Sequence, residues 1–311
     1  MDYKQFLIQN RPSYLKIRQL LDDIDPTYFV RTVVNEQEIG PQTVSIVMTA
    51  CNRSVQTYYT IKNIARSAYK DVQVIIVDDS TDDPIVADVL ATYGIHTELI
   101  QIRNKFWINP CVNYNIGFRH VRGGKVVVQN AEVCHIDDVV TYVADHVGPN
   151  EYHAFNVSTI PNMETNYLLY EIEPISANID QIVSLAVGHL ITWYQHPIVR
   201  NGFYHFLVAT DRETFDRIGG FDNDYAMSIE FDDDNFVFKA RTMGLAMINV
   251  PPNVMGVHQW HSQSAAGSCT SHVRNRHLHY RKCAHFEATK TYLNFTDLDA
   301  ELMVEKINEW F

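Results

Sequence analysis

Tyr14, Ile17, Leu21 and Ile24 recur at helical spacing, and Asp25-Pro26 ends that helix. Asn35–Gln42 (NEQEIGPQ) reads as a linker. Beyond it the pattern changes. Two unbroken apolar runs, VSIVMT from Val44 and VQVIIV from Val72 to Val77, flank a helical stripe of Tyr58, Ile61, Ile64, Ala65 and Ala68. A short helix ending at Gly94 and a third strand, His96–Ile102, follow. A helix over Cys111–Val121 and a fourth strand, Lys125–Asn130, complete the series. Apolar runs alternating with helices predict an α/β sheet covered on both faces and at least partly parallel.

The second half is less regular. Residues 158–200 hold few clean periods and read as a long insertion near a site. Phe206–Thr210 predicts a strand, and DRETFDRI after it a helix stopped by Gly219-Gly220. Asp232–Gly244 (DDDNFVFKARTMG) predicts a helix N-capped by acids and ended by glycine. LAMINV and VMGVH read as strands, and the tail after Asn275 as helical. No internal repeat or low-complexity tract interrupts the pattern.

Charge and cysteine usage narrow the partners. The 311 residues carry a formal net charge of −12, which argues against a nucleic-acid backbone. Cys51, Cys111, Cys134, Cys269 and Cys283 are scattered and odd in number, which predicts reduced thiols rather than a disulfide framework. No apolar stretch predicts a signal peptide or a transmembrane helix, so the expectation is a soluble, cytoplasmic protein.

In parallel sheets ligands bind beyond the carboxyl ends of the strands. Those ends carry Thr49-Ala50-Cys51-Asn52-Arg53, then Asp78-Asp79-Ser80, then Asn130-Ala131-Glu132. Polar groups at three successive strand ends point to a site. Alternatively Asp78 and Asp79 cap the next turn, where Asp and Ser are common.

Three pieces in order resemble family 2 glycosyltransferases. They are VSIVMTACNR…VIIVDDSTDD, NPCVNYNIGFRHVRGG, and IGGFDNDY with the acidic helix EFDDDNFVFKARTMG. The resemblance spans about Val44–His261. It implies the GT-A fold, a Rossmann-like nucleotide-binding domain with a mixed, mainly parallel sheet flanked by helices. The expected domain is 43–262. Residues 1–42 then form an N-terminal helical extension and linker, and 263–311 a C-terminal helical extension.

By position, the resemblance assigns Thr49, Ala50, Arg53, Asp78 and Asp79 to the nucleotide base and ribose, and Asn115 to the diphosphate. Carboxylates suit base N–H groups and ribose hydroxyls, which donate hydrogen bonds. The family's Asp-x-Asp after the fourth strand is here Asn130-Ala131-Glu132. Glu132 can still ligate a hard cation. His135 is an alternative ligand or a polar turn residue. The family's base falls on Asp233, with Asp232 orienting it or contacting the acceptor; the bland alternative is helix-dipole complementation. HQWH supplies His258 as a metal ligand, with His261 joining only if the chain turns, since strand residues three apart face opposite ways. Trp107, Trp193 and Trp260 could stack on sugars, although packing is their commoner role.

The implied reaction is inverting transfer of a sugar from a nucleoside diphosphate sugar, by family habit a UDP-sugar, to a glycan or other hydroxyl acceptor with Mn²⁺ or Mg²⁺. The alternative is a nucleotide-sugar-binding module without turnover. A pyrophosphorylase would need a Gly-rich basic loop where TACNRS stands. A dinucleotide oxidoreductase would need G-x-G-x-x-G there.

Overall fold

The computed structural model describes residues 3–22, 27–171, 193–262 and 272–311. Its first half runs α1 (Tyr3–Asp22), β1 (Phe29–Val34), β2 (Val44–Ala50), α2 (Ser54–Ala65), β3 (Val72–Asp78), α3 (Ala87–Ala91), β4 (His96–Ile102), α4 (Cys111–Phe118), β5 (Lys125–Asn130) and β6 (Val133–Ile136). The second half gives α5 (Val139–His146), β7 (Glu151–Ala154), β8 (Asn156–Thr159), α6 (Met163–Tyr170), β9 (Leu207–Asp211) and α7 (Arg212–Ile218). It ends with α8 (Asp232–Thr242), β10 (Ala246–Asn249), β11 (Met255–His258), α9 (His272–Thr289) and α10 (Ala300–Trp310).

The eight-stranded sheet has the order β1-β4-β3-β2-β5-β9-β7-β10. Strands β4, β3, β2 and β5 are parallel, with β1 antiparallel on one flank and β9 on the other. A three-stranded sheet, β6-β11-β8, stands beside it. The unbroken apolar runs explain the layering. Side chains alternate across a strand, so Ile46, Val74 and Val127 pack on the face that carries α2, α3 and α5. Val47, Ile75 and Val126 pack on the other, against α4, α7 and α8. Helix α1, with Leu7 and Ile17, joins this second layer with Met303 and Ile307 of α10.

The expected bounds of β4 and β5 are those found. Strands β2 and β3 run one residue beyond their apolar runs, to Ala50 and Asp78. Three differences matter. Residues 29–34, expected in the N-terminal extension, form β1 on the sheet edge. Residues 158–200 are not wholly irregular: they hold the end of β8 and helix α6, while 172–192 lie outside the described residues. Helix α8 is not capped by its acids. Its N-cap is Phe231, with φ +66° and no side-chain cap bond, and Asp232–Asp234 occupy the first turn.

Cys111 and Cys134 are buried free thiols as expected, but Cys51 is exposed. Cys269 lies outside the described residues. Among the described residues no helix is long and apolar enough to cross a membrane.

Helix α4 lies close to the sheet because Gly117 faces it. A Cβ there would stand 2.7 Å from Val47 Cγ1 and 3.1 Å from Val77 Cγ2. Both valines are buried and χ1-restricted, so neither can give way freely. Gly117→Val is therefore expected to destabilise the fold by about 1–3 kcal/mol through overpacking. Denaturant unfolding checks this, and an unchanged midpoint would show that α4 has room to move.

Candidate active site

Parallel pairing in the order β3-β2-β5 sets three strand ends side by side. The loops after β2 and β3 are laced together. Asn52 Oδ1 accepts from the backbone N–H of Thr81, Asp82 and Asp83. Asp83 in turn accepts from Ser54 N and Oγ at 2.9 and 2.7 Å, serving the start of α2. Arg53 is fixed between these contacts.

The two strand-end acids have different work. Asp78 is 2% exposed. Its Oδ1 accepts from Ser80 N and Oγ, and its Oδ2 from Ile85 N at 2.8 Å. The turn-capping reading therefore fits Asp78. Asp79 is only partly buried, and its Oδ2 receives Lys105 Nζ and Asn113 Nδ2. Asn113 is held by the Trp107 indole N–H at 2.7 Å, so buried Trp107 is a packing and orienting residue. Thr49 pairs with Asn130 across β2 and β5, and the Tyr114 hydroxyl donates to Gln129 O at 2.9 Å and Asn130 Oδ1 at 3.2 Å. Ala50 is buried, and its carbonyl accepts from Asp79 N at 3.0 Å.

Asn115 is placed otherwise than expected. Its Nδ2 donates to Phe221 O and Asn223 Oδ1, both at 2.8 Å, and its Oδ1 accepts from Phe221 N at 2.9 Å. These three bonds tie α4 to the turn after Gly220. The helical spacing that exposes Asn113 to Asp79 turns Asn115 toward α7 and α8.

Glu132 is the centre of a second group. It is 1% exposed. Oε1 meets Arg53 Nη1, His258 Nε2 at 3.2 Å and His261 Nε2 at 3.6 Å. Strand β11 ends at His258, and the chain leaves it there, which lets both histidines face one carboxylate. Gln259 holds the turn from behind, since its N and Nε2 both donate to Glu132 O at 3.0 Å. Burial pushes the Glu132 carboxyl up, but Arg53, His258 and His261 outweigh it and hold the group well below the usual carboxylate range. Its Oε2 is buried with no hydrogen-bond partner among the described residues. One oxygen and two imidazole nitrogens lie within 4.8 Å of one another, a donor set suited to a borderline divalent ion. His135 is not part of it. Its Nε2 lies 2.7 Å from Gln129 Oε1, and burial lowers it to about 4, leaving it neutral in the core.

The acids of α8 form a third group. Asp232 is buried, and Asn109 Nδ2 donates to its Oδ1 at 2.9 Å. Asp233 is partly exposed and accepts only from Asp234 N at 2.9 Å among its hydrogen bonds described. Asp234 accepts from Tyr204 OH at 2.9 Å. Burial, then Asp232 and Asp234, raise the Asp233 carboxyl well above its ordinary value. Burial raises Asp232 too, against the Asn109 hydrogen bond. A continuous wall joins the second and third groups. The Tyr194 ring lies 4.4 Å from that of His258, and the Arg200 guanidinium sits 5.7 Å from Tyr194 and 5.8 Å from Tyr204.

Arg200, Tyr194, Lys105 and Asn109 escaped the sequence reading. Asn109-Pro110 is a turn signal, and Asn109 Oδ1 does accept from Cys111 N at 2.8 Å. The aromatic and basic residues around 194–204 carry no periodicity to mark them. Trp193 and Trp260 are partly buried against the small sheet. The 720 Å³ hollow lined by Pro41, Arg122, Arg212 and Arg217 lies at the amino ends of β2 and β5, the opposite end from these carboxylates.

No curated protein matches the sequence significantly. The chain is similar in structure to the mannosyltransferase PcManGT from Pyrobaculum calidifontis, solved with GDP-Man and Mn²⁺. That likeness has 18% identity, 99% of this chain and 84% of that one covered, and a TM-score of 0.43. It is also similar to TarS of S. aureus, solved with UDP-GlcNAc, at 10% identity with a TM-score of 0.50. There 73% of this chain is covered, and it spans 61% of the length of the TarS chain. This second likeness is one of fold. Glycosyl transferase family 2 matches residues 45–196, the span that contains Arg53, Asp79 and Glu132. The segment 45–196 therefore matches glycosyl transferase family 2, a family of sugar-transferring enzymes, and the chain carries the GT-A fold.

Proposed function

We propose that the chain transfers a sugar from a nucleoside diphosphate sugar to an acceptor hydroxyl with inversion, within a catalytic unit of residues 43–262. The observation that carries this reading is the wall linking two carboxylate centres of opposite character. Glu132 is held ionised by Arg53, His258 and His261, whereas Asp233 is raised by burial and neighbouring acids. Such divergence separates a charge-holding role from a proton-taking one. UDP-GlcNAc and GDP-Man in the similar structures are compatible with a nucleotide sugar, and a UDP-sugar is the donor we favour.

In this reading Asp79, Thr49, Ala50 and Arg53 line the nucleotide end, with Asp78 shaping the turn beneath them. Asp233 removes the acceptor proton as the acceptor oxygen attacks the anomeric carbon. The bond from that carbon to the diphosphate oxygen breaks, and the nucleoside diphosphate leaves. Asp232, anchored by Asn109, orients the base or the acceptor. Glu132, His258 and His261 would hold Mn²⁺ or Mg²⁺, which when bound supplies positive charge for the leaving diphosphate. The orphaned Glu132 Oε2 fits such an ion. Arg53 adds charge from the protein itself.

A binding module without turnover is the rival. It draws on Asn130 in place of an acid and on Arg53 Nη1 pairing with Glu132, which occupies an oxygen that an ion would use. Donor turnover with and without Mn²⁺ separates the readings, and Mn²⁺ titration by calorimetry reads the ion site itself. Glu132→Gln and His258→Ala are expected to weaken Mn²⁺ by at least about tenfold each, within the range found when ligand shells are perturbed. His135→Ala should leave the affinity alone. A wild-type protein that binds no Mn²⁺, or that keeps turnover in chelator, would remove the ion from the reading.

Asp233→Asn tests the base. General-base catalysis is typically worth about 10²–10⁴-fold, so turnover should fall by that much with little change in donor affinity. The same variant has a stability signature. The folded Asp233 carboxyl titrates above its unfolded value, so its contribution is favourable below the ordinary carboxylate range and is lost as pH rises through the raised value. Asn mimics the protonated form. Its melting-temperature gain over the wild type should therefore grow as pH rises across that window. Equal turnover in variant and wild type would move the base to Asp232 or Asp234.

A further inference from the structure

The two residues before the acids of α8 are strained. Glu230 and Phe231 have φ of +64° and +66°, consecutive left-handed residues with no glycine. Such conformations persist only when the surroundings over-determine them. Here the surroundings are α9. Asn275 Nδ2 donates to Glu230 O at 2.9 Å and to Tyr225 O at 3.1 Å. His279, one turn later, packs its ring 5.8 Å from that of Phe231. Lys282 pairs with Asp222 at 2.6 Å and Asp224 at 2.7 Å.

Asn275, Leu278, His279 and Lys282 fall on one face of α9, at the i, i+3, i+4, i+7 spacing. Asn275 is 1% exposed, Leu278 0% and Lys282 5%. A buried stripe with two polar members out of three is costly packing unless each member has a partner. All its polar partners named above belong to the loop 222–230. That loop leads directly into Asp232 and Asp233.

We propose that Asn275 is a positioning residue for the acid turn: by holding the Glu230 carbonyl it keeps Glu230 and Phe231 left-handed and sets where Asp232 and Asp233 point. Helix α9, which lies beyond the matched family span, is then a working part of the site rather than an appendage. This inference rests on the Asp233 reading above.

The two left-handed residues differ in what they offer a test. Glu230 is exposed, so replacing it removes little packing. Glycine adopts positive φ without the steric penalty of a Cβ. Glu230→Gly should therefore hold the turn without help from Asn275.

The experiment measures kcat, donor KM and melting temperature for Asn275→Ala, the double variant Asn275→Ala/Glu230→Gly, and Leu278→Ala as a packing control, beside Asp233→Asn. Misplacing a reacting group by about 1 Å can cost about a hundredfold in rate. Asn275→Ala should lose about ten- to a hundredfold in kcat, with donor KM within about twofold of wild type. The double variant should regain most of that loss. Leu278→Ala should lower the melting temperature while keeping kcat. Full turnover in Asn275→Ala alongside a loss in Asp233→Asn overturns the inference and leaves the base intact. A double variant that stays as slow as Asn275→Ala overturns it as well, as does failure of both to fold, which would make Asn275 a folding residue only. Full turnover in Asp233→Asn instead removes the base reading itself.

Discussion

A buried carboxylate must be paired, and Glu132 meets that requirement through two distant parts of the chain. Removing one partner of a buried ion pair typically destabilises by about 3–5 kcal/mol, because the other charge is left without compensation. Arg53 comes from the loop after β2, and His258 and His261 from the end of β11. The carboxylate thus fixes the large sheet, the helix α2 entrance and the small sheet relative to one another. Gln259 adds bonds to Gln56 O, Thr60 Oγ1 and Glu132 O, so the same junction is held by neutral groups too. The charge supplies specificity of arrangement, and the amide fixes the backbone around it.

The acid turn obeys the opposite logic. Three successive aspartates at the start of α8 repel one another, and helix-dipole complementation offsets this only in part. Asp232 has Asn109 and Asp234 has Tyr204, but Asp233 lies between them with no cation paired to it among the described residues. Natural proteins tolerate such local cost where activity needs it. The loop that leads into these acids carries the buried Lys282 cluster. Asp224 accepts from Phe295 N and Thr296 N as well as from Lys282, which binds the C-terminal segment to the loop below the acids. The terminal helices are therefore fastened to the very loop that carries the strain.

The sequence by itself determined the parts whose physics is local. Unbroken apolar runs gave β2 and β3, because a strand buried on both faces needs no polar alternation. Gly219 and Gly244 marked the ends of α7 and α8, since both adopt positive φ. The acids at strand ends were visible, as was HQWH. Tertiary structure decided which of these groups meet. Asp78 turned to its own turn and Asp79 to Lys105 and Asn113, a distinction that adjacent residues of one type cannot carry in sequence. Asn115 was drawn to Phe221 and Asn223 by the packing of α4. Strands β1, β6, β7 and β8 were not read from the sequence, and they exist through partners far along the chain. Glu132 lies 79 residues from Arg53 and 126 from His258, and only the sheet order closes those distances. Periodicity and turn chemistry act over a few residues, whereas a buried charge is satisfied by whatever the topology brings within reach.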